Sequence, residues 1–241
     1  MPQPRRILLK ISGEMLSGGK GTGYDDTALD LVVREISDSV GDGVQIAVVC
    51  GGGNLLRGAG PNPSALAVES QMKDTMGMLA TTMNALALTS RLRQAGLEAV
   101  HMAAFPGIPF SQAVSAQDAC EALDRGSVVL FSGGTGLPFF STDMAAAVRA
   151  LQVGASMLLK GTQVAGVYSA DPRKDPGARF LPQISARDAL VADLRFMDPA
   201  ALALCGYHGL EVVVFDAHQA GNLRKVLKGE LTCSRISPNK E

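Results

Sequence analysis

Short, wholly apolar runs recur along this chain, and several give way to glycine before a segment of helical spacing begins. Ile7-Leu8-Leu9, Ile46-Ala47-Val48-Val49-Cys50 and Val128-Val129-Leu130-Phe131 show no polar alternation. A strand with one face in water would alternate with a period of two, so such runs fit a parallel sheet covered on both faces. Parallel neighbours need crossovers, and the intervening segments have the helical repeat to supply them. Strands are predicted at 6–11, 44–50, 97–103, 127–132, 155–160, 211–215 and 231–236. Helices are predicted at 26–40, about 67–95, from the capping-box-like Ser115 to Gly126, and at 143–153. Two short helices and a last one ending near Gly229 follow the turn-rich stretch 172–182, which reads as a hairpin or an extended excursion. The expected fold is α/β, a three-layer αβα sandwich with a mainly parallel central sheet.

With 241 residues, 46% of them hydrophobic, the chain can build one large domain or two closely fused lobes. No linker, repeat or low-complexity tract divides it. A net charge of -1 gives no electrostatic footprint for nucleic acid, so any affinity for anions must be local. No apolar run approaches the roughly 18 residues of a membrane span, and Arg5-Arg6 with a short apolar stretch does not make a signal peptide. Cys50, Cys120, Cys205 and Cys233 lack metal-ligand spacing. They read as isolated thiols, suited to a reducing cytoplasm.

Chemistry concentrates where strands end. Lys10 is followed by Ile11-Ser12-Gly13, and Cys50 runs into Gly51-Gly52-Gly53-Asn54. In an open α/β sheet such strand ends are where phosphorylated ligands bind. A lysine on a buried strand needs a partner charge or a route to water; reaching a phosphoryl group satisfies both better than snorkelling at an edge. Three successive glycines offer backbone N–H groups to an anion at an entropic cost that a turn alone does not require. Arg57, one helical turn on, can return to the same phosphate. The usual nucleotide signatures are absent. No G-x-x-x-x-G-K-[ST] can be aligned at 13–20, and neither 51–56 nor 134–136 completes a dinucleotide fingerprint.

The stretch Thr135-Gly136-Leu137-Pro138-Phe139-Phe140-Ser141-Thr142-Asp143 offers hydroxyls, a rigid proline and two rings to a polar ligand with a flat base. Thr142 and Asp143 suit a helix cap equally well, and the phenylalanines suit a core, so local chemistry leaves these readings balanced. Asp171-Pro172 and Asp198-Pro199 read first as helix caps. His101, His208 and His218 form no triad. Met72, Met76, Met78 and Met83 have helical spacing and read as packing.

Taken together, the loops resemble the bacterial UMP kinases of the amino acid kinase superfamily. The match includes Arg6-Ile-Leu-Leu-Lys-Ile-Ser-Gly-Glu14, Val49-Cys-Gly-Gly-Gly-Asn-Leu-Leu-Arg-Gly58 and Met76-Gly-Met-Leu-Ala-Thr-Thr-Met-Asn84. It continues through Gly134-Thr-Gly-Leu-Pro-Phe-Phe-Ser-Thr-Asp143, Leu159-Lys-Gly-Thr-Gln-Val-Ala-Gly-Val-Tyr-Ser-Ala-Asp-Pro172 and Phe196-Met-Asp198. The resemblance implies phosphoryl transfer from ATP to UMP, with Mg2+ accompanying ATP. It also implies a single domain, 1–241, with an acceptor lobe over about 1–150 and an ATP lobe over about 151–241. Lys10, Ile11, Ser12, Gly13, Gly53 and Arg57 would then meet ATP phosphates, and Thr162, Tyr168 and Asp171 its nucleoside. Gly52, Asp74, Thr135, Gly136, Leu137, Pro138, Phe139, Phe140, Ser141 and Thr142 would hold UMP. Lys10, Arg57, Asp143 and Asp198 form the expected catalytic set, with no direct side-chain metal ligand assigned. A homohexamer is implied, with the long helix as an interface and UTP as a candidate inhibitor.

This chain departs from the family pattern in four places. Leu137 stands where the family usually has Asn, and Ala165 replaces the usual Asp before Gly166. The loop between Arg57 and Asp74 is longer and rebuilt around Pro61-Asn62-Pro63. Thr89, Arg93 and Val100 stand where enterobacterial-type members carry the Arg, His and Arg of an effector surface, so GTP activation is expected to be weakened, altered or lost. Two other readings accompany the resemblance: a relative with a carboxylate or carbamate acceptor, and a non-catalytic protein that binds nucleotide or stores an oxyanion.

Overall fold

The computed structural model describes residues 6–56 and 68–239. Its first strand, β1 (Arg6–Ile11), is wholly internal. β2 (Gln45–Cys50) pairs with it on one side and β6 (Met157–Thr162) on the other, both parallel. Among the described residues the sheet has nine strands in the order β4-β3-β5-β2-β1-β6-β10-β11-β9. The remaining members are β3 (Ala99–Ala103), β4 (Gln112–Ala113), β5 (Val128–Ser132), β9 (Gln183–Ser185), β10 (Glu211–Asp216) and β11 (Ser234–Ser237). Within this sheet, among the described residues, only the β10–β11 pairing is antiparallel. β7 (Val167–Tyr168) and β8 (Phe180–Leu181) form a separate antiparallel hairpin, which settles the form of the turn-rich excursion.

The strand alternation divides the core into two. Ile7, Leu9 and Ile11 point into a cluster covered by α2 (Asp26–Gly41), α3 (Ser70–Gln94) and α8 (Asn222–Lys228). Leu8, Val49 and Leu158 point the other way, under α4 (Ala116–Asp124), α5 (Thr142–Gln152), α6 (Ala186–Val191) and α7 (Pro199–Tyr207). Each large aliphatic side chain buried this way contributes about 1.5–3 kcal/mol, and both faces of the sheet use them. The sandwich is therefore three-layered, as the apolar runs imply. The short α1 (Glu14–Ser17) and strands β4 and β9 were not foreseen.

α8 is tied to α2 across the first layer. The buried Glu35 carboxylate accepts from the backbone N–H groups of Gly221 and Leu223, and Arg224 grips Asp42 through two contacts of 2.5 and 2.6 Å. The methionines of α3 need a correction. Met78 is buried, but Met72 and Met83 are each 54% exposed.

Candidate active site

Two lysines meet where β1 and β6 run side by side. Lys10 and Lys160 are direct register partners on these parallel strands, so their side chains leave the sheet on the same face. That face is the one covered by α5, whose first turn carries Asp143. The Asp143 carboxylate lies between the ammonium groups: Lys10 Nζ is 3.0 Å from Oδ1 and Lys160 Nζ is 2.6 Å from Oδ2. Among the described residues Oδ1 accepts no well-directed hydrogen bond, and the Lys10 ammonium is the cation nearest to it. All three side chains are between 11% and 13% exposed.

The electrostatics follow from this burial. Desolvation acts to raise the Asp143 pKa, but the charges of Lys10 and Lys160 outweigh it and hold the carboxyl at about 2. Burial, and then repulsion from Lys10, lowers the pKa of Lys160 against the pull of Asp143. Asp198 is held nearby. Its backbone N–H donates to Asp143 Oδ2 at 3.2 Å, its side chain accepts from the Ser141 hydroxyl, and it caps α7 through Ala200 N at 2.9 Å. Ser141 also caps α5, accepting from Met144 N at 3.1 Å, so the cap is one residue earlier than Thr142. Sequence reading assigns Lys10, Asp143 and Asp198; it missed Lys160. The signal was present, because Leu158-Leu159-Lys160-Gly161 repeats the apolar run and lysine of β1.

The glycines sit where the backbone packs against itself. A Cβ on Gly13 would lie 2.5 Å from the Gly51 carbonyl oxygen and 2.7 Å from Gly53 N. On Gly52 it would lie 2.8 Å from Ala80 Cβ and 3.0 Å from the Gly77 carbonyl oxygen. A reciprocal amide pair sets this turn: Asn84 donates to Asn54 at 2.7 Å, receives from it at 3.1 Å, and donates to the Gly51 carbonyl at 2.7 Å. Ile11 contributes backbone here, its carbonyl accepting from Gly51 N at 2.9 Å while its side chain is core. Ser12 Oγ accepts from Glu14 N at 3.1 Å. Because two of the three nearest obstructing atoms at Gly13 are backbone and the third, Asn54 Oδ1, is held in the amide pair, Gly13→Ala is expected to cost about 1–3 kcal/mol of stability through overpacking. Displacing the glycine turn should also lower turnover. Urea unfolding beside a turnover assay checks this, and unchanged stability would count against the close approach.

Two clefts flank the charged centre. One, of about 710 Å³, is lined by Gly52, Gly53, Asp74, Gly134, Phe140 and Ser141 among others. Asp74 accepts from the Phe139 backbone N–H at 2.8 Å, and Phe139 takes a left-handed φ of 69°. Phe139 and Phe140 are 69% and 48% exposed, so neither is a core residue. Thr135 accepts from Leu137 N at 3.2 Å, Gly136 N closes a turn on the Gly133 carbonyl, and Leu137 is 58% exposed beside Pro138. The second cleft, of about 420 Å³, is lined by Tyr168, Asp171, Arg173, Leu194 and Phe196 among others. Asp171 caps no helix; it pairs with Arg173. Thr162 is spent on the carbonyls of Val164 and Phe215 and does not line this cleft. Arg57 and the loop around Pro61 lie outside the described residues.

The family model described as the amino acid kinase family matches residues 5–216. This chain belongs to the amino acid kinase family. Among the similar curated proteins of this kinase family is a uridylate kinase of Brucella abortus, 41% identical over 238 residues that span 99% of this chain and 98% of the relative. A uridylate kinase of Vibrio cholerae is 43% identical over 98% of this chain and 96% of its own. Among solved structures, the UMP kinase of Ureaplasma parvum superposes with a TM-score of 0.91 at 30% identity, covering 98% of this chain and 99% of that one. That of Bacillus anthracis gives 0.93 at 29%, covering 99% and 98%. In this amino acid kinase the lysine–aspartate–lysine centre brings two largely buried cations together toward the ends of β1 and β6, close to the glycine turn at 51–53.

Proposed function

We propose that this chain transfers the γ-phosphoryl group of ATP to UMP, giving UDP and ADP. The observation that carries this reading is the Lys10–Asp143–Lys160 centre, which joins the larger cleft through Ser141 and Thr142 and the smaller one through the segment after Lys160. The uridylate kinase relatives supply the acceptor. UMP would occupy the larger cleft, within an acceptor lobe of about 1–150. The ATP nucleoside would lie against Tyr168 and Asp171, within a lobe of about 151–241.

The chemistry needs no general base, because a phosphate monoester with a second pKa of about 6 is already an anion at neutral pH. What opposes reaction is repulsion between two phosphates and charge build-up on the transferring group. Lys10 has one partner among the described residues, Asp143, which leaves its remaining N–H donors for a phosphoryl oxygen. Asp143 fixes both ammonium groups in place beforehand, so no reorganisation is needed during transfer. The backbone N–H groups of Gly52 and Gly53 would be donors between the nucleotides, that of Gly51 being used on the Ile11 carbonyl.

Mg2+ would arrive with ATP. Among the described residues no cluster of three or more His, Cys, Asp or Glu side chains is placed to hold a cation. Asp143 and Asp198 are already engaged by lysines, a hydroxyl and backbone donors. Phosphate oxygens and water are the fitting ligands for such an ion.

The exposed face of α3 supports self-association. Met72, Met76, Leu79, Met83 and Leu86 recur at alternating spacings of four and three, the repeat of a helix–helix seam. We expect Leu79→Glu with Met83→Glu to convert an oligomer, a hexamer on the family reading, to smaller species in light scattering. Unchanged mass would remove α3 from the interface. Altered GTP response fits the geometry as well: Thr89 is buried and Arg93 is spent on the Ala99 carbonyl at 2.7 and 3.0 Å. A GTP titration showing strong activation would refute it.

The function itself is tested with purified protein, ATP, Mg2+ and an acceptor panel of UMP, CMP, acetylglutamate and aspartate. UDP formed from UMP alone is the expected result. Turnover of a carboxylate, or none by folded protein, would overturn the reading.

A further inference from the structure

Arg149 on α5 is a buried charged group that this mechanism leaves unused. It is 6% exposed, and among the described residues it has no carboxylate partner. Its guanidinium lies 5.7 Å from the Phe131 ring centre. One terminal nitrogen donates to Gln152 Oε1 at 2.7 Å, the other to the Gly134 carbonyl at 3.2 Å, and Nε has no partner. A buried, unneutralised cation is costly, and a methionine or leucine would fill the same space without that cost. Packing alone therefore does not account for it.

What Arg149 touches is the wall of the larger cleft. Gly134 lines that cleft with a left-handed φ of 61°, a backbone conformation open to glycine and rarely to other residues. The loop is tied at two adjacent residues. From α3, Thr81 accepts from Gly133 N at 2.9 Å; from α5, Arg149 takes the Gly134 carbonyl. α5 is the same helix that carries Asp143 in its first turn, so the tie sets the loop against the charged centre.

We infer that Arg149 is a positioning residue for the acceptor nucleotide, fixing the loop that begins at Gly134 by a charged hydrogen bond to its carbonyl. Its charge, met by no carboxylate among the described residues, adds positive potential behind the Gly134 wall of that cleft. The inference rests on the acceptor assignment of that cleft.

Arg149→Met and Arg149→Lys in the full chain test it, with hydrogen exchange at 134–137 measured alongside kinetics. For Arg149→Met the KM for UMP should rise about tenfold and the KM for ATP less than about twofold, the size of a lost charge-assisted hydrogen bond. Exchange across the loop should rise with it. Arg149→Lys, which keeps a cation and a donor, should recover most of both effects. Equal rises in the two KM values, unchanged exchange, or a lysine variant no better than methionine would each overturn the assignment. Exchange that responds in a protein making no UDP from UMP would uphold the tie and overturn the acceptor reading instead.

Discussion

Replacing Lys10 by alanine is expected to lower kcat at least about a thousandfold, the scale at which removing a preorganised charge from a transition state is felt. The KM for UMP should move far less. The reason lies in where the ammonium stands. It leaves the centre of the sheet from a strand bonded on both sides, so its position is set by backbone that cannot adjust. A lysine at an exposed edge would tolerate loss; this one is 13% exposed and directed at Asp143 by a 3.0 Å contact. The variant should still fold, because Lys160 at 2.6 Å continues to neutralise Asp143. Single-turnover phosphoryl transfer, with circular dichroism to verify the fold, is the measurement. A folded Lys10→Ala protein retaining a tenth of wild-type turnover would place the chemistry elsewhere.

The comparison between Lys10 and Lys160 shows what the sequence discloses and what it withholds. Both close an apolar run, yet sequence reading singles out Lys10, because Ser12-Gly13 beside it advertises an opening. Lys160 is followed by a glycine and threonine that look like an ordinary strand end. The repeated apolar run and lysine hint at its role, but what fixes that role is register with a strand 150 residues earlier, a property of the sheet. The same limit explains the methionines of α3. Period reveals a helix, but not which side of it faces the core, and here Met72 and Met83 face outward.

Of the two Asp-Pro readings, one failed, and for a different reason. Asp198-Pro199 caps α7 as its chemistry suggests, whereas Asp171-Pro172 sits in the loop between β7 and β8, where Arg173 provides a nearer partner. The strands, the parallel sheet and the strand-end loops were legible because burial on both faces leaves a continuous apolar signature. Short elements such as α1 and β4 carry too few residues for a period to emerge. Arg149 also escaped notice, since a lone arginine inside an alanine-rich helix gives no sign that it will be buried.

Asp143→Asn should destabilise the protein as well as silence it, and the two effects share one cause. At neutral pH the carboxylate separates two ammonium groups that would otherwise repel each other in a poorly hydrated pocket. Removing its charge is expected to cost about 3 kcal/mol, the usual penalty for breaking a buried pair. The pH dependence gives the assignment its signature. Asp143 is held at about 2 when folded, against an ordinary value of 3.8, so its contribution is complete above about pH 4 and is lost as pH falls toward 2. The wild-type advantage over Asp143→Asn should therefore narrow by about 1 kcal/mol between pH 5 and pH 3. Adding Lys160→Met to Asp143→Asn removes one of the two stranded cations and should restore at least half of the lost stability without restoring turnover. Urea unfolding at the two pH values measures all three proteins. A difference between wild type and Asp143→Asn that does not change with pH would show that the carboxylate is not the group the lysines hold in place.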